Sequence, residues 1–135
     1  MTTVTKDLID AIGDAFNAND IDAVMRFFAG DAVFDHAIGS EVYGVRFEGA
    51  AAIRTVFAEL FDKVEKVHWE TLDCAIHGNK AYCEYCRKVT HKIGATEEFL
   101  SVDILTFRDE LIVRKDTYYK QRTSQLRTKN RHPSE

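Results

Sequence analysis

Proline is almost missing from this sequence: the single one, Pro133, stands near the end of the 135-residue chain. That excludes polyproline segments, and breaks between elements must be marked by glycine and small polar residues. Cysteine is scarce and odd in number: Cys74, Cys83 and Cys86. With no secretory pattern in the opening M-T-T-V-T-K-D, the expectation is reduced thiols and not a disulfide framework. Cys83-x-x-Cys86 resembles half a zinc knuckle, but it lies in a strand pattern, where residues three apart point to opposite faces. Packing is the better reading of these thiols, and no metal is expected. No apolar run approaches the roughly 20 residues of a membrane-spanning helix. Together these absences lead to the expectation of a cytoplasmic protein with no membrane partner.

What is present is one domain's worth of chain, 45% hydrophobic and 30% charged. That length can bury a core without disulfides or metal. The formal net charge of −4 is unevenly placed. Residues 120–135 carry Lys120, Arg122, Arg127, Lys129 and Arg131 against the single acid Glu135. The first 119 residues then hold 13 basic and 21 acidic groups, a net of −8. An acidic body argues against nucleic acid as a ligand. The chain therefore divides into a domain over 1–119 and a basic tail over 120–135, read as a solvated end.

Periodicity orders the domain. From Thr5 to Ala18, the residues Leu8, Ile9, Ile12 and Phe16 form one helical stripe, with Thr5 as N-cap. Asn19 or Asp20 caps a second short helix predicted to reach Phe28 and to end at Gly30. Ala32 to His36 reads as a short strand ending in the polar pair Asp35-His36, and Ala37 to Glu48, with Gly39 and Gly44, reads as a loop. In Gly49 to Phe61 and just beyond it, Ile53, Val56, Phe57, Leu60 and Val64 mark a third helix. From Val67 the period becomes two. Strands are predicted over Val67–His77, Lys80–Lys92, Glu98–Arg108 and Leu111–Tyr119, joined by short hairpin connections. Helices first and a meander after indicate α+β: three N-terminal helices packed on a strongly curved, mainly antiparallel sheet. Such a sheet leaves a concave face able to hold a pocket.

Two segments carry a family resemblance. A-V-F-D-H-A-I-G-S (residues 32–40) is similar to A-T-V-E-D-P-V-G-S of the delta-5-3-ketosteroid isomerases, and G-A-A-A-I-R-T-V-F (residues 49–57) fits the G-x-x-A-I-R-x-x-F pattern that follows it. The chain from about Leu8 to Tyr119 thus resembles the SnoaL-like and ketosteroid isomerase-like branch of the nuclear transport factor 2-like superfamily. The resemblance implies an open cone around an apolar cavity, with dimerisation through the outer sheet face in many members. It does not choose the reaction, because the fold hosts isomerases, cyclases, dehydratases, epoxide hydrolases and non-catalytic proteins.

Candidate site residues follow from the strand ends and from that resemblance. His36 falls where the isomerases carry their Asp base, and imidazole is a competent base near neutral pH. Adjacent Asp35 is a candidate to orient it, although neighbouring strand residues face opposite ways. V-D-I-L-T-F places Asp103 where those isomerases hold a protonated Asp that donates to the developing enolate oxygen. Burial among apolar neighbours would favour that neutral form, whereas an ion pair across the sheet would cancel it. I-V-R-K-D-T-Y-Y resembles the I-x-x-W-R-D-Y-F ending of SnoaL-like cyclases and limonene epoxide hydrolases, whose acid-base Asp has Asp116 as its counterpart. Tyr85 and Arg87 stand where the hydrolases need an Arg-x-Asp pair, which lowers the hydrolase reading. Ile12 stands at the place of the isomerases' first-helix Tyr, leaving Tyr43, Tyr85 or Tyr118 as replacement donors. His91 is a weaker partner for His36, by resemblance to scytalone dehydratase.

The leading expectation is a cofactor-free enzyme moving protons on a small hydrophobic carbonyl compound by isomerisation, cyclisation or dehydration. His36 would act as base, with Asp103 and Asp116 as acid or enolate stabilisers. Asp35, Tyr43, Tyr85, Arg87 and Tyr118 would bind substrate. The alternative is a non-catalytic ligand-binding or assembly module with the same cone. A homodimer is expected. Counting back from the Asp109-Glu110 turn, Asp103 and Asp116 should lie opposite each other on one face, converging with His36 on one cavity.

Overall fold

The computed structural model describes residues 4–123, so most of the basic C-terminal stretch lies outside the described residues. The elements are α1 (Lys6–Asn17), α2 (Ile21–Met25), β1 (Phe28–Glu41), β2 (Gly44–Glu48), α3 (Ala50–Lys63), β3 (Lys66–His77), β4 (Lys80–Thr90), β5 (Thr96–Arg108) and β6 (Leu111–Tyr119). They form one six-stranded sheet in the order β2-β1-β6-β5-β4-β3. Every neighbouring pair is antiparallel except β1 with β6, which is parallel. The expected architecture, three helices on a curved and mostly antiparallel sheet, is the one observed. Among the described residues no helix is long and apolar enough to cross a membrane.

The helix caps act as the sequence implied. Thr5 Oγ1 accepts from the Leu8 N–H at 3.2 Å, and Asp20 Oδ1 accepts from the N–H groups of Asp22 and Ala23. Each satisfies donors that have no partner inside the helix. The two asparagines after α1 have a further task. Asn17 exchanges two hydrogen bonds with the backbone of Trp69, and Asn19 exchanges two with the backbone of Val67. β3 is an edge of the sheet, and these side chains satisfy part of its open edge and fasten α1 to it.

Two expectations fail between residues 26 and 48. The second helix stops at Met25, because Phe28 pairs with Ile112 of β6 and Gly30 lies inside β1. The expected loop from Ala37 to Glu48 is instead the end of β1 and all of β2. Gly39 and Gly44 look like loop punctuation, but their role is close approach. A Cβ on Gly39 would lie 2.2 Å from the Gly44 carbonyl, and one on Gly44 would lie 1.8 Å from the His36 oxygen.

The core lies between the helices and the inner face of the sheet. Phe16 of α1 meets Phe57 of α3 edge-on at 5.2 Å and Trp69 of β3 at 5.4 Å. Phe57 stacks on Phe34 of β1 at 5.1 Å. Aromatic contacts of this kind add to the area buried, and they tie both long helices to both halves of the sheet.

One local irregularity controls the inner face. β5 and β6 pair as Phe107 with Ile112, but the next pair is Thr106 with Arg114, so Val113 is an extra, unpaired residue. Beyond this bulge the register is Asp103 with Thr117 and Ile104 with Asp116. A single inserted residue exchanges the faces of everything that follows it.

Candidate active site

A cavity of about 130 Å³ opens between α3 and the inner face of the sheet. Phe34, Val56, Phe57, Leu60 and Trp69 form its apolar walls, and its polar lining is His36, Arg87, Ser101, Asp103, Lys115, Thr117 and Tyr119. Each polar residue arrives by strand alternation, with Asp103 on β5 between the buried Ser101 and Leu105 and Lys115 and Thr117 beside it on β6.

Asp103 is 6% exposed. Its Oδ1 accepts from Lys115 Nζ at 3.1 Å and from the Thr117 hydroxyl at 2.6 Å. Lys115 is buried too and also donates to Thr117 at 2.8 Å. Its ammonium lies 4.7 Å from the Phe34 ring centre and 5.5 Å from that of Phe57. Burial pushes the Lys115 pKa down, against the pull of Asp103. Asp103 thus stands as the acceptor of an ammonium and a hydroxyl. The ion pair across the sheet, named above as the arrangement that would cancel a donating Asp103, is the one observed, with Lys115 as its cation. No protein donor among the described residues reaches its second oxygen, Oδ2.

His36 is placed at this cavity, next to Phe34 and Tyr119. Burial lowers its pKa, and Lys115 and Arg87 lower it further. The ring is therefore neutral at neutral pH. Its Nδ1 accepts from the Ile38 N–H at 3.2 Å, which assigns the remaining proton to Nε2 and makes that atom a donor. Arg87 also lines the cavity, with its guanidinium 5.2 Å from the Phe99 ring centre and 5.5 Å from that of Trp69.

The other expected residues go elsewhere. Asp116 does not converge with Asp103, because the bulge at Val113 turns it to the outer face, where Arg114 donates to it at 3.3 Å. Asp35 does not orient His36. It is fully buried on the opposite side of β1, between Arg46 at 2.7 Å and Arg114 at 2.9 Å. Arg46 first and then Arg114 hold its carboxyl below the usual range. Tyr118 is 57% exposed on the outer face. Tyr43 sits at the β1–β2 turn under the Arg46 guanidinium, 4.3 Å from its ring centre. Tyr43, Asp116 and Tyr118 meet His36 in a second pocket of about 150 Å³ at that turn. Tyr85 lies on the inner face below the cavity, near Ile12 and Asp103, with its phenol pushed up by burial. His91 pairs with Glu97 at the β4–β5 turn and does not line the cavity.

Sequence reasoning missed Lys115, Thr117 and Tyr119, each one position after the chosen Arg114, Asp116 and Tyr118. No glycine or proline marks the bulge that separates the two sets. The available signal was a conflict: a strict alternation from Ile112 would have put Arg114 and Asp116, with two charges, on the covered face.

Comparisons with known proteins agree with this fold. No curated protein matches the chain. Among solved structures, a hypothetical protein with a ketosteroid isomerase-like fold from Catenulispora acidiphila, in complex with trimethylamine, is 23% identical with a TM-score of 0.74, over 87% of this chain and 88% of that one. TerC co-crystallised with polyporic acid is 21% identical with a TM-score of 0.72, over 84% and 89%. A candidate polyketide cyclase from Xanthomonas campestris pv. campestris is 24% identical with a TM-score of 0.69, over 84% and 88%. These likenesses establish the fold. The SnoaL-like domain model matches residues 9–115, most of the chain, and the protein therefore belongs to the SnoaL-like domain family.

Proposed function

We propose that this protein is a cofactor-free proton-transfer enzyme acting on a small hydrophobic carbonyl compound held in the cavity. The observation that carries the reading is Asp103: a carboxylate buried at an apolar cavity, with one oxygen tied to Lys115 and Thr117 and the other without a protein donor. The geometry favours an exchange of the roles expected for Asp103 and His36. Asp103 Oδ2 takes a proton from the carbon next to the carbonyl. The negative charge that develops on the carbonyl oxygen is met by Nε2–H of His36 and the third N–H of Lys115. The proton then returns to the enolate at the same or another carbon. A relative in complex with trimethylamine and another with polyporic acid support small-molecule binding in this fold.

The test is α-proton exchange of 2-tetralone in deuterated buffer, followed by NMR. Wild-type protein should accelerate exchange, and Asp103→Asn should lower the acceleration by about a hundredfold or more. Binding of the ketone without any acceleration would leave a ligand-binding module in place of an enzyme.

The outer face supports a homodimer, since Leu72, Tyr82, Leu100 and Tyr118 are exposed there and apolar patches of this kind mark contact surfaces. Sedimentation at the monomer mass of 15.4 kDa at high micromolar concentration would remove that proposal.

A further inference from the structure

The charges lining the cavity do not balance. Lys115 is matched by Asp103, and the neutral His36 adds none. Arg87 has no hydrogen-bond acceptor and no close ion pair among the described residues, and the carboxylates of Asp103 and Glu97 act on it only as more distant charges. Other arginines of the sheet differ: Arg46 and Arg114 are held by Asp35, and Arg108 by Asp31. The Arg87 guanidinium is instead packed near the Trp69 and Phe99 rings, and desolvation is the largest influence on its pKa, which is lowered. Aromatic rings compensate a cation in part, but they accept none of its five N–H bonds. Arg87 is half-buried, and a guanidinium partly withdrawn from water with donors unmet favours a ligand that accepts them. The walls available to a ligand beside it are Phe34, Phe57, Leu60 and Trp69, which suit a flat apolar body.

We infer that the substrate class is a planar aromatic or conjugated acid, whose carboxylate is bound by Arg87 while its ring lies among the cavity's aromatic walls. The inference rests on the reading of this cavity as the substrate site. It deepens that reading by adding a fixed anionic handle to the carbonyl compound. A fork of guanidinium donors matches a carboxylate with two parallel hydrogen bonds, which a lysine cannot reproduce. Arg87 is a binding residue and the proton transfer remains with Asp103. A substrate so anchored is held in one orientation, with its reacting carbon presented to the other side of the cavity.

The test uses three nearly isosteric probes that differ in charge: benzoate, benzamide and benzamidinium, titrated by calorimetry or ligand-observed NMR. Benzoate should bind at least about tenfold more tightly than benzamide, and benzamidinium most weakly. Arg87→Met should abolish the preference for benzoate while leaving benzamide affinity within about threefold. Arg87→Lys should keep part of the preference. Thermal unfolding confirms that each variant is folded, and Arg87→Gln replaces Arg87→Met if the latter is not. Equal affinity for benzoate and benzamide, or a preference for benzoate that survives Arg87→Met and Arg87→Gln, overturns the inference while leaving the cavity as a substrate site. If none of the three probes binds, the anionic handle and the reading of the cavity fall together.

Discussion

The two faces of the sheet carry charge clusters of similar composition and opposite meaning. On the inner face Asp103 is held by Lys115, and both side chains are less than a tenth exposed. On the outer face Asp35 is held by Arg46 and Arg114, whose side chains are 35% and 40% exposed. The outer carboxylate has donors on both oxygens, from cations that still reach water. The inner carboxylate has one oxygen without a protein donor, and its partner cation is only 6% exposed. A cluster with every acceptor filled holds strands together. A cluster with one acceptor left over at a cavity has capacity for chemistry. The difference lies in satisfaction and solvent access, not in residue type.

The most severe way to break the comparison is to insert one residue between Val113 and Arg114. The register beyond the bulge sets Lys115, Thr117 and Tyr119 facing in and Arg114, Asp116 and Tyr118 facing out. With one residue more behind the same bulge, Asp116 would stand opposite Asp103 inside the core and Lys115 would point outward. Two carboxylates facing each other, Lys115 drawn out of its buried place and Asp35 stripped of Arg114 should together cost more than about 4 kcal/mol. Urea unfolding is the measurement, and a loss below about 1 kcal/mol would mean that the register does not set the faces.

Next in size is Asp103→Asn, which leaves a buried ammonium without a counter-charge. The expected loss is about 3 kcal/mol, and the double variant Asp103→Asn/Lys115→Met should recover most of it. On the outer face Asp35→Asn should cost less, about 1–2 kcal/mol, because Arg46 and Arg114 can turn to solvent. Equal losses at the two sites would contradict the distinction drawn from their solvent access.

The same bulge explains what was legible in the sequence. Helical stripes and the change to period two gave the α+β layout and four of the six strands, and the apolar stretch Ala32 to His36 gave the middle of a fifth, β1, because burial patterning is a property of each segment alone. The β1–β2 hairpin was hidden because Gly39 and Gly44 permit close approach and look the same as loop glycines. His36, Arg87 and Asp103 were found because each lies on a strand whose alternation reaches it unbroken. Lys115, Thr117 and Tyr119 were missed because they lie beyond Val113, and a bulge is decided by how two strands pair. The face of any residue beyond such a defect belongs to the pair of strands and not to either one alone.

The smallest expected effect separates neighbours on one strand by pH. Asp35 and His36 are adjacent but point to opposite faces, and their pKa values are both lowered for different reasons. For His36 the cause is burial, reinforced by Lys115 and Arg87, so the folded protein resists protonating a ring that the unfolded chain protonates near 6.5. Its effect on stability is nil well above that value. Stability then falls as pH drops through the unfolded pKa, because the unfolded state takes up the proton first, and it levels off below the folded pKa. For Asp35 the cause is the pair of arginines, so its contribution is present above the unfolded value of 3.8 and is lost as pH falls through the folded pKa. Stability measured by urea unfolding at a series of pH values should therefore show two separable losses. His36→Gln should flatten the decline between about pH 7 and pH 5 and leave the acid limb unchanged. Asp35→Asn should flatten the limb below about pH 4 and leave the first decline in place. If His36→Gln left the decline between pH 7 and pH 5 untouched, the ring would be as easily protonated in the fold as outside it. His36 would then be a solvated residue at a strand end, and the inner face would lose one of the two donors assigned to the developing charge.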